Sequence, residues 1–163
     1  MHDQPLIDTD TAAFMQAGVS VIASSASAVG VPSIMRAVGC RVGEDRRSVT
    51  VLLNAPQSQQ LIADIGATRR IAVVFSQPTT HRSLQFKAMD AEMVPTTPLD
   101  WALASQYQQA LSRELETIGF PREFTMTFIA WRPGELAAVR FSPVEAYDQT
   151  PGPRAGMPLG AQA

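Results

Sequence analysis

The sequence is poor in the residues from which several classes of functional site are built. Cys40 is the only cysteine among 163 residues, which excludes an internal disulfide and a cysteine-based metal cluster. The two histidines, His2 and His81, make a multi-histidine metal site improbable. No apolar run approaches the roughly 20 residues that a membrane-spanning helix needs. The start, MHDQPLIDTD, lacks the basic-then-apolar order of a signal peptide. We therefore expect a cytoplasmic protein without a membrane partner.

The chain also lacks an excess of positive charge. It has 13 lysines and arginines against 15 aspartates and glutamates, for a formal charge of −2. Nucleic-acid binding usually needs a basic face, so no nucleic-acid partner is expected. Hydrophobic residues make up 45% of the sequence, enough for a folded core. The length and the absence of a linker indicate one domain over residues 1–149, followed by a proline- and glycine-rich tail over residues 150–163.

What the sequence does contain is a series of short β-rich segments joined by polar turns. Alternation and β-branched residues predict seven strands, at 19–25, 31–42, 48–54, 70–76, 83–94, 124–131 and 135–141. Apolar spacing predicts three helices: a short one at 8–17, one ending near Gly66, and a long one at 98–118. Gly18 is expected to end the first helix in the left-handed conformation, and Gly66 is expected to end the second. The pattern predicts an antiparallel barrel with helices over its openings.

A polar junction, SQPTTHRS at 76–83, separates two of the predicted strands. One interpretation is that its side chains satisfy the backbone of a turn and the rim of the barrel. The other is that they bind a ligand. The residues alone favour the first interpretation.

The order of elements resembles the flavin-binding split β-barrel of the pyridoxamine 5′-phosphate oxidase superfamily, from about Phe14 to Phe141. Three segments carry the resemblance: Pro32-Ser33-Ile34-Met35-Arg36, Asn54 to Leu61, and Thr80-His81-Arg82-Ser83-Leu84-Gln85. It implies a mainly β (α+β) fold: a six- to seven-stranded antiparallel split β-barrel with flanking helices. It also implies a homodimer with flavin mononucleotide (FMN) sites at the interface. The same segments also resemble a subgroup of small bacterial homologues that has no settled activity.

The resemblance implies a set of cofactor-binding positions: Arg36, Arg41, Asn54, Ser58, Gln59, Gln60, Thr80, Arg82 and Gln85. An arginine can bind a phosphate in bidentate fashion, and the amide hydrogens at a helix start attract anions. The alternatives are ordinary: solvated or ion-paired arginines, a turn asparagine at Asn54, and a plain N-cap at Ser58. Where the oxidase branch has Ser-Arg-Lys, this chain has Ser58-Gln59-Gln60, so two cations are missing.

Two hypotheses follow for function. The first is an FMN-dependent oxidoreductase of unknown substrate, in which the flavin carries the redox chemistry. The second is a non-catalytic protein that binds flavin or another small ligand, which Gln59 and Gln60 favour. A haem-handling homologue is a weaker third option. True pyridoxamine phosphate oxidation is disfavoured, because the Arg-x-His substrate motif of that branch is absent after His81. The catalytic residues are unknown, and His81 is more often exposed than catalytic in such a turn.

The remaining candidate residues can be explained by packing, and the tail has two interpretations. Trp101 and Trp131 are expected to pack in the core or at a dimer interface rather than to stack on a ring, and Cys40 is expected to be buried. The tail is either a disordered end or an extended arm over the partner subunit, with Arg154 near the cofactor.

Overall fold

The computed structural model describes residues 5–159, which form eight strands and four α-helices. The strands are β1 (Ser20–Ala26), β2 (Pro32–Val42), β3 (Val49–Asn54), β4 (Ile71–Ser76), β5 (Ser83–Ala88), β6 (Glu92–Val94), β7 (Leu136–Phe141) and β8 (Glu145–Asp148). The helices are α1 (Thr9–Met15), α2 (Gln59–Thr68), α3 (Pro98–Glu116) and α4 (Arg122–Phe128). Short 3₁₀ turns precede α2 (Ala55–Gln57) and β7 (Pro133–Glu135).

The strands form one antiparallel sheet in the order β6-β7-β3-β2-β1-β4-β5-β8. It does not close into a complete barrel. The long strand β2 pairs with β1 through its first half and with β3 through its second half, and the register shifts between Ala37 and Gly39 where the two halves meet. The predicted class, an antiparallel split barrel of the α+β type, is confirmed, although the strands number eight.

Side chains alternate across the sheet, and only one of its faces is fully buried. On that face Val21, Val73, Phe75 and Phe86 have no exposed surface, and the rings of Phe75 and Phe86 meet edge to face at 5.9 Å. The opposite side of β1, β2, β4 and β5, here called the half-exposed face, alternates with it. Its residues include Ser20, Ile22, Ser24, Arg36, Ala72, Val74, Ser76, Ser83 and Gln85. Serine and small apolar side chains therefore dominate a surface that is only partly covered.

The long helix α3 is fixed against the start of β1 at two points. The Tyr107 hydroxyl donates a 2.8 Å hydrogen bond to the carbonyl of Val19. Gly18 lies so close to α3 that a Cβ at this position would sit 2.4 Å from the carbonyl oxygen of Ala110. The prediction that Gly18 takes a left-handed conformation is wrong, because its φ is not positive. Glycine is required here by the close approach of two backbones.

The predicted strand at 124–131 is wrong, because this segment contains α4 and the chain leaving it. Its β-branched and aromatic residues suggested a strand. Its aromatics, however, are four residues apart: the rings of Phe124 and Phe128 stack at 5.4 Å, and Phe120, just before the helix, lies tilted against Phe124 at 5.2 Å. A repeat of four is the period of a helix face, and this spacing was the signal that propensity obscured.

Three smaller differences concern element boundaries. Residues 83–94 form two strands, β5 and β6, rather than one. Helix α2 continues past Gly66 to Thr68, and its C-cap residue Arg69 takes the left-handed conformation at φ 58°. The strand β8 was not predicted, because EAYD is short and polar.

The tail turns back on the sheet and lies beside β8, as far as residue 159. The backbone N–H groups of Asp148 and Leu159 donate to Met157 and Ala146 across this pairing, both at 2.9 Å. Asp148 accepts a 2.9 Å bond from the N–H of Thr150 and lies 3.7 Å from the Arg154 guanidinium. Hydrogen bonding from Thr150, aided by the charges of Arg154 and Arg82, lowers the pKa of Asp148. Residues 156–159 of the tail therefore pair with β8 of the same chain, and the expected arm over a partner subunit stays a prediction.

Within residues 5–159, no helix is both long enough and apolar enough to cross a membrane. The same part of the chain contains no cluster of three or more histidine, cysteine, aspartate or glutamate side chains suited to a metal ion.

Candidate functional site

The half-exposed face carries one row of side chains that joins two of the predicted positions. Through successive strand pairings, Arg36 on β2 lies opposite Ile22, which is followed by Val74, Gln85 and Tyr147. Since neighbouring strands are about 4.8 Å apart, Arg36 and Gln85 are separated by roughly 14 Å. Both residues therefore project from the same surface, at opposite ends of an apolar patch.

Arg36 is the most unusual side chain of this surface. It is half-buried, and its Nη1 donates a 2.5 Å hydrogen bond to the hydroxyl of Ser20. The guanidinium carbon lies 4.5 Å from the ring centroid of Phe128, at the end of α4. Burial lowers the pKa of Arg36, and the neighbouring Tyr107 partly opposes this effect. Arg36 is therefore held by two neutral groups.

No carboxylate in residues 5–159 forms an ion pair with Arg36. A charge that has lost part of its hydration is normally paired with an opposite charge. A hydroxyl and a phenyl ring compensate this loss only in part. The site is thus suited to an anion approaching the guanidinium from the half-exposed face.

Asn54 lies at the neighbouring end of β3, because Ala37 next to Arg36 pairs with Leu53. Its side chain is buried and makes two bonds: the amide Nδ2 donates to the carbonyl of Ala130 at 3.2 Å, and the carbonyl Oδ1 accepts from the N–H of Gln57 at 3.3 Å. These contacts belong to a turn residue that also fixes the chain leaving α4.

Ser58 is the N-cap of α2, yet its side chain makes no capping bond. The residue is only 1% exposed, and its hydroxyl has no hydrogen-bond partner in the described part of the chain. An unsatisfied buried hydroxyl costs free energy. The start of α2 also presents unpaired amide hydrogens and the positive end of the helix dipole. Ser58 therefore combines an unsatisfied buried hydroxyl with the positive end of a helix, two features that favour an anion.

Gln59 and Gln60 are exposed on the first turn of α2. The Gln60 amide donates to the carboxylate of Asp64 at 3.0 Å, one turn along the same helix. The first turn, Gln59 to Leu61, contains no charged side chain, so the start of α2 offers only neutral donors to an anion.

Arg41 lies apart from Arg36. Beyond the irregularity of β2 its Nε donates a 3.1 Å bond to Asp100, at the start of α3. The Asp100 carboxylate is 1% exposed and also accepts bonds from the backbone N–H and hydroxyl of Thr97, at 2.9 and 3.1 Å. Asp100 and Tyr107, the α3 neighbours of the two arginines, are seven residues apart, which is about 10 Å along a helix. Arg41 is therefore ion-paired with a carboxylate near the start of α3, whereas, within residues 5–159, Arg36 contacts only neutral groups.

The polar junction forms the turn between β4 and β5 and satisfies most of its own groups. Thr80 donates to Gln77 at 2.9 Å, and Thr79 contacts Glu114 on α3. Arg82 lies 4.3 Å above the ring of Phe14 on α1. His81 is exposed at φ 61°. The ligand-binding role of Thr80 and Arg82 stays a prediction, and their observed contacts are those of a turn.

The start of β5 is different, because it faces the site. Ser20, Ser76 and Ser83 lie in one row across β1, β4 and β5, and the hydroxyls of Ser76 and Ser83 are 2.8 Å apart. This row begins at the hydroxyl that holds Arg36. Gln85, in the next row, accepts a 3.3 Å bond from the amide of Gln149.

The remaining candidates have packing roles. Cys40 is buried in the core, as expected, and burial raises the pKa of its thiol. Trp131 packs partly against the core, whereas Trp101 on α3 is 37% exposed. None of the three lies on the half-exposed face as defined above.

Sequence reasoning missed the two residues that hold Arg36. The alternation of β1 placed Ser20 on the same face as Ile22, so its position was predictable once the register of β1 and β2 was known. Phe128 was assigned to a strand, and only the spacing of Phe120, Phe124 and Phe128 could have identified it as a residue on a helix face.

Comparisons with known proteins identify the fold but not a close relative. No protein-family model and no curated protein matches the sequence. Among solved structures, HupZ of Group A Streptococcus is 14% identical, with a TM-score of 0.54 over 92% of this chain and 99% of its own. An F420 reductase is 11% identical, with a TM-score of 0.55 over 82% of this chain and 93% of its own. HutZ of Vibrio cholerae, described as a heme storage protein, is 14% identical, with a TM-score of 0.49 over 87% of this chain and 94% of its own.

At these identities the similarity concerns the fold alone. The fold of the antiparallel sheet and its flanking helices is shared with HupZ and with the F420 reductase. The chain therefore has the antiparallel split β-barrel fold that is also found in HupZ and in the F420 reductase.

Proposed function

We propose that this chain binds FMN on the half-exposed face and acts as a flavin-dependent oxidoreductase. The observation that carries the proposal is Arg36, a half-buried guanidinium that meets a hydroxyl and a ring and forms no ion pair with a carboxylate of the described chain. A phosphate is the ligand group that best matches a planar, permanently charged guanidinium.

Three further features support a nucleotide whose phosphate lies at Arg36. Ser58 offers an unpartnered hydroxyl and a free helix start. Ile22 and Val74 form an apolar surface next to Arg36, and Gln85 provides a polar group beyond them. Such a surface suits a flat ring that is apolar over its face and polar at its edge.

When bound, the flavin supplies hydride or electron transfer. The residues of this chain have the simpler tasks of binding and orienting it. Arg36 holds the phosphate, Ser58 adds a hydrogen bond, and the patch of Ile22 and Val74 excludes water from one side of the ring. The substrate and the electron donor are left open by this assignment.

The glutamines at the start of α2 favour weaker binding than in the oxidase branch. Charge-assisted hydrogen bonds are about twice as strong as neutral ones, and Gln59 and Gln60 provide only neutral donors. This observation also supports the second candidate, a non-catalytic protein that holds flavin or another small ligand on the same face.

The visible spectrum of the freshly purified protein, followed by titration with FMN and riboflavin, tests the proposal. We expect bound or added FMN to saturate a single site per chain, with riboflavin bound at least tenfold more weakly because it lacks the phosphate. If the FMN-loaded protein oxidises NADH or NADPH in air, it is an oxidoreductase. If it binds FMN but oxidises neither, the second candidate, a non-catalytic flavin-binding protein, is supported. Failure to bind FMN, or a haem spectrum in place of a flavin spectrum, contradicts the proposal.

We further propose that the protein is a homodimer that covers the half-exposed face. This face leaves Ile22 and Val74 partly uncovered, and Ile34 at its edge is 66% exposed. Pairing two such surfaces would bury apolar area and enclose the ring between two chains. Light scattering during size-exclusion chromatography should give twice the chain mass of 17.6 kDa. A single-chain mass at micromolar concentration contradicts the dimer.

A further inference from the structure

We infer that Phe128 is a positioning residue, which holds the Arg36 guanidinium where it can meet the phosphate of the ligand. The inference rests on the proposed function and adds a role for α4. It starts from the contact between the guanidinium carbon of Arg36 and the ring of Phe128, at 4.5 Å from the centroid.

Phe128 is the last ring of an aromatic column that ends at Arg36. The rings of Phe124 and Phe128 stack at 5.4 Å with an interplanar angle of 17°, and Phe120 continues the column at 5.2 Å with an angle of 30°. All three side chains are 41–45% exposed. One face of Phe128 therefore meets Phe124, and Arg36 lies over the ring as the terminal member of the column.

Arg36 needs such support because little else fixes it. An arginine side chain has several rotatable bonds and loses entropy when it is held in one position. Its side chain donates a hydrogen bond to the hydroxyl of Ser20, at 2.5 Å. A ring below a guanidinium attracts the cation and leaves its N–H groups free in the plane. Phe128 can thus orient the Arg36 guanidinium without occupying the N–H donors that would bind a phosphate.

The backbone on both sides of Phe128 is held by hydrogen bonds from other elements. The chain after it is fixed by the Asn54 amide, which donates to the carbonyl of Ala130 at 3.2 Å, and Ile129 is 2% exposed. On the other side, Gln108 of α3 donates to the carbonyl of Met126 at 3.2 Å. The ring is therefore carried by a short helix fixed near its end by β3 and by α3.

The test measures the dissociation constants of FMN and riboflavin for Phe128→Leu and Phe128→Tyr, by quenching of flavin fluorescence. Leucine keeps apolar bulk but removes the ring, and we expect it to weaken FMN three- to tenfold while riboflavin binding is unchanged. Tyrosine keeps the ring and should restore wild-type affinity for FMN. Phe120→Leu is the matched control, since Phe120 has the same exposure and does not contact Arg36; it should leave both constants unchanged.

A double variant makes the result specific to positioning. In an Arg36→Met background, Phe128→Leu should cause no further loss of FMN affinity, because the group that it orients is gone. Equal weakening of FMN and riboflavin by Phe128→Leu, or no weakening of either, overturns the inference while leaving the proposed function intact. If the wild-type protein binds no FMN, the proposed function fails and this inference fails with it.

Discussion

Replacing Arg36 by methionine should weaken FMN binding by about 10- to 100-fold without lowering the thermal stability of the protein. A hydrogen bond to a charged group contributes about 1.5–3 kcal/mol, which corresponds to this range of affinity. Riboflavin, which has no phosphate, should bind Arg36→Met and the wild-type protein equally. Fluorescence titration with both flavins measures the two effects separately.

Stability should be preserved because Arg36 is an unpaired, partly desolvated cation. Burial lowers its pKa, which means that the folded protein holds the charged form less favourably than water does. Methionine has a similar reach and keeps contact with Phe128, while it removes the cost of desolvation. We expect the free energy of unfolding to stay within about 1 kcal/mol of the wild-type value.

Arg41→Met provides the informative comparison, because Arg41 is paired with the buried carboxylate of Asp100. Its loss should lower the free energy of unfolding by about 1–3 kcal/mol and change the FMN dissociation constant by less than about twofold. If Arg41→Met weakens FMN and Arg36→Met does not, the phosphate lies at the start of α3 and the assignment to Arg36 is wrong.

Gly18→Ala should be strongly destabilising, although it adds only one methyl group. The new Cβ would lie 2.4 Å from the Ala110 carbonyl oxygen and 2.5 Å from its carbonyl carbon. Both are backbone atoms of α3, so no side chain can move aside and the helix itself must shift. Overpacking of this kind costs about 3 kcal/mol, which for a chain of this size lowers the thermal midpoint by about 6–12 °C. Thermal unfolding followed by circular dichroism measures the change.

The matched control is Gly66→Ala, in the interior of α2. A Cβ at Gly66 meets no atom within 4 Å, and the residue has a helical rather than a positive φ. Alanine should therefore stabilise the protein, by about 0.5–1 kcal/mol, because it lowers the backbone entropy of the unfolded chain. Equal midpoints for Gly18→Ala and the wild-type protein would show that the packing of α3 on β1 is looser than described.

The parts of the fold that follow a clear local period could be predicted from the sequence. Runs of β-branched and other apolar residues marked β1, β3 and β4. The apolar stripe of α3, with Thr97 before it and Gly119 after it, predicted that helix almost to the residue. The helix α4 was not recovered, because Phe and Thr prefer strands and the repeat of Phe120, Phe124 and Phe128 is short. The role of Gly18 was also misassigned, since a close approach between distant segments leaves no local signal.

In the candidate site, too, the sequence indicated suitable residue types but not the contacts that these residues make with distant parts of the chain. The sequence identified Arg36 and Ser58 as residue types suited to an anion. It did not reveal that Arg41 pairs with Asp100, or that Arg82 lies over Phe14, because each contact joins segments far apart in the chain. The partners of an arginine decide whether its charge is available to a ligand, and those partners are set by the tertiary fold.

The return of the chain along β8 has a consequence for how molecules of this protein meet. An exposed edge strand has unpaired N–H and C=O groups that can pair with a strand of another molecule and so promote aggregation. Here β8 already bonds to residues 156–159 on its outer side, and that segment carries Pro158, with Pro151 and Pro153 in the turn before it. Proline has no N–H to offer a further strand. The proline-rich tail thus covers the β8 edge of the sheet and opposes edge-to-edge association of two molecules. The covering segment has no regular secondary structure of its own.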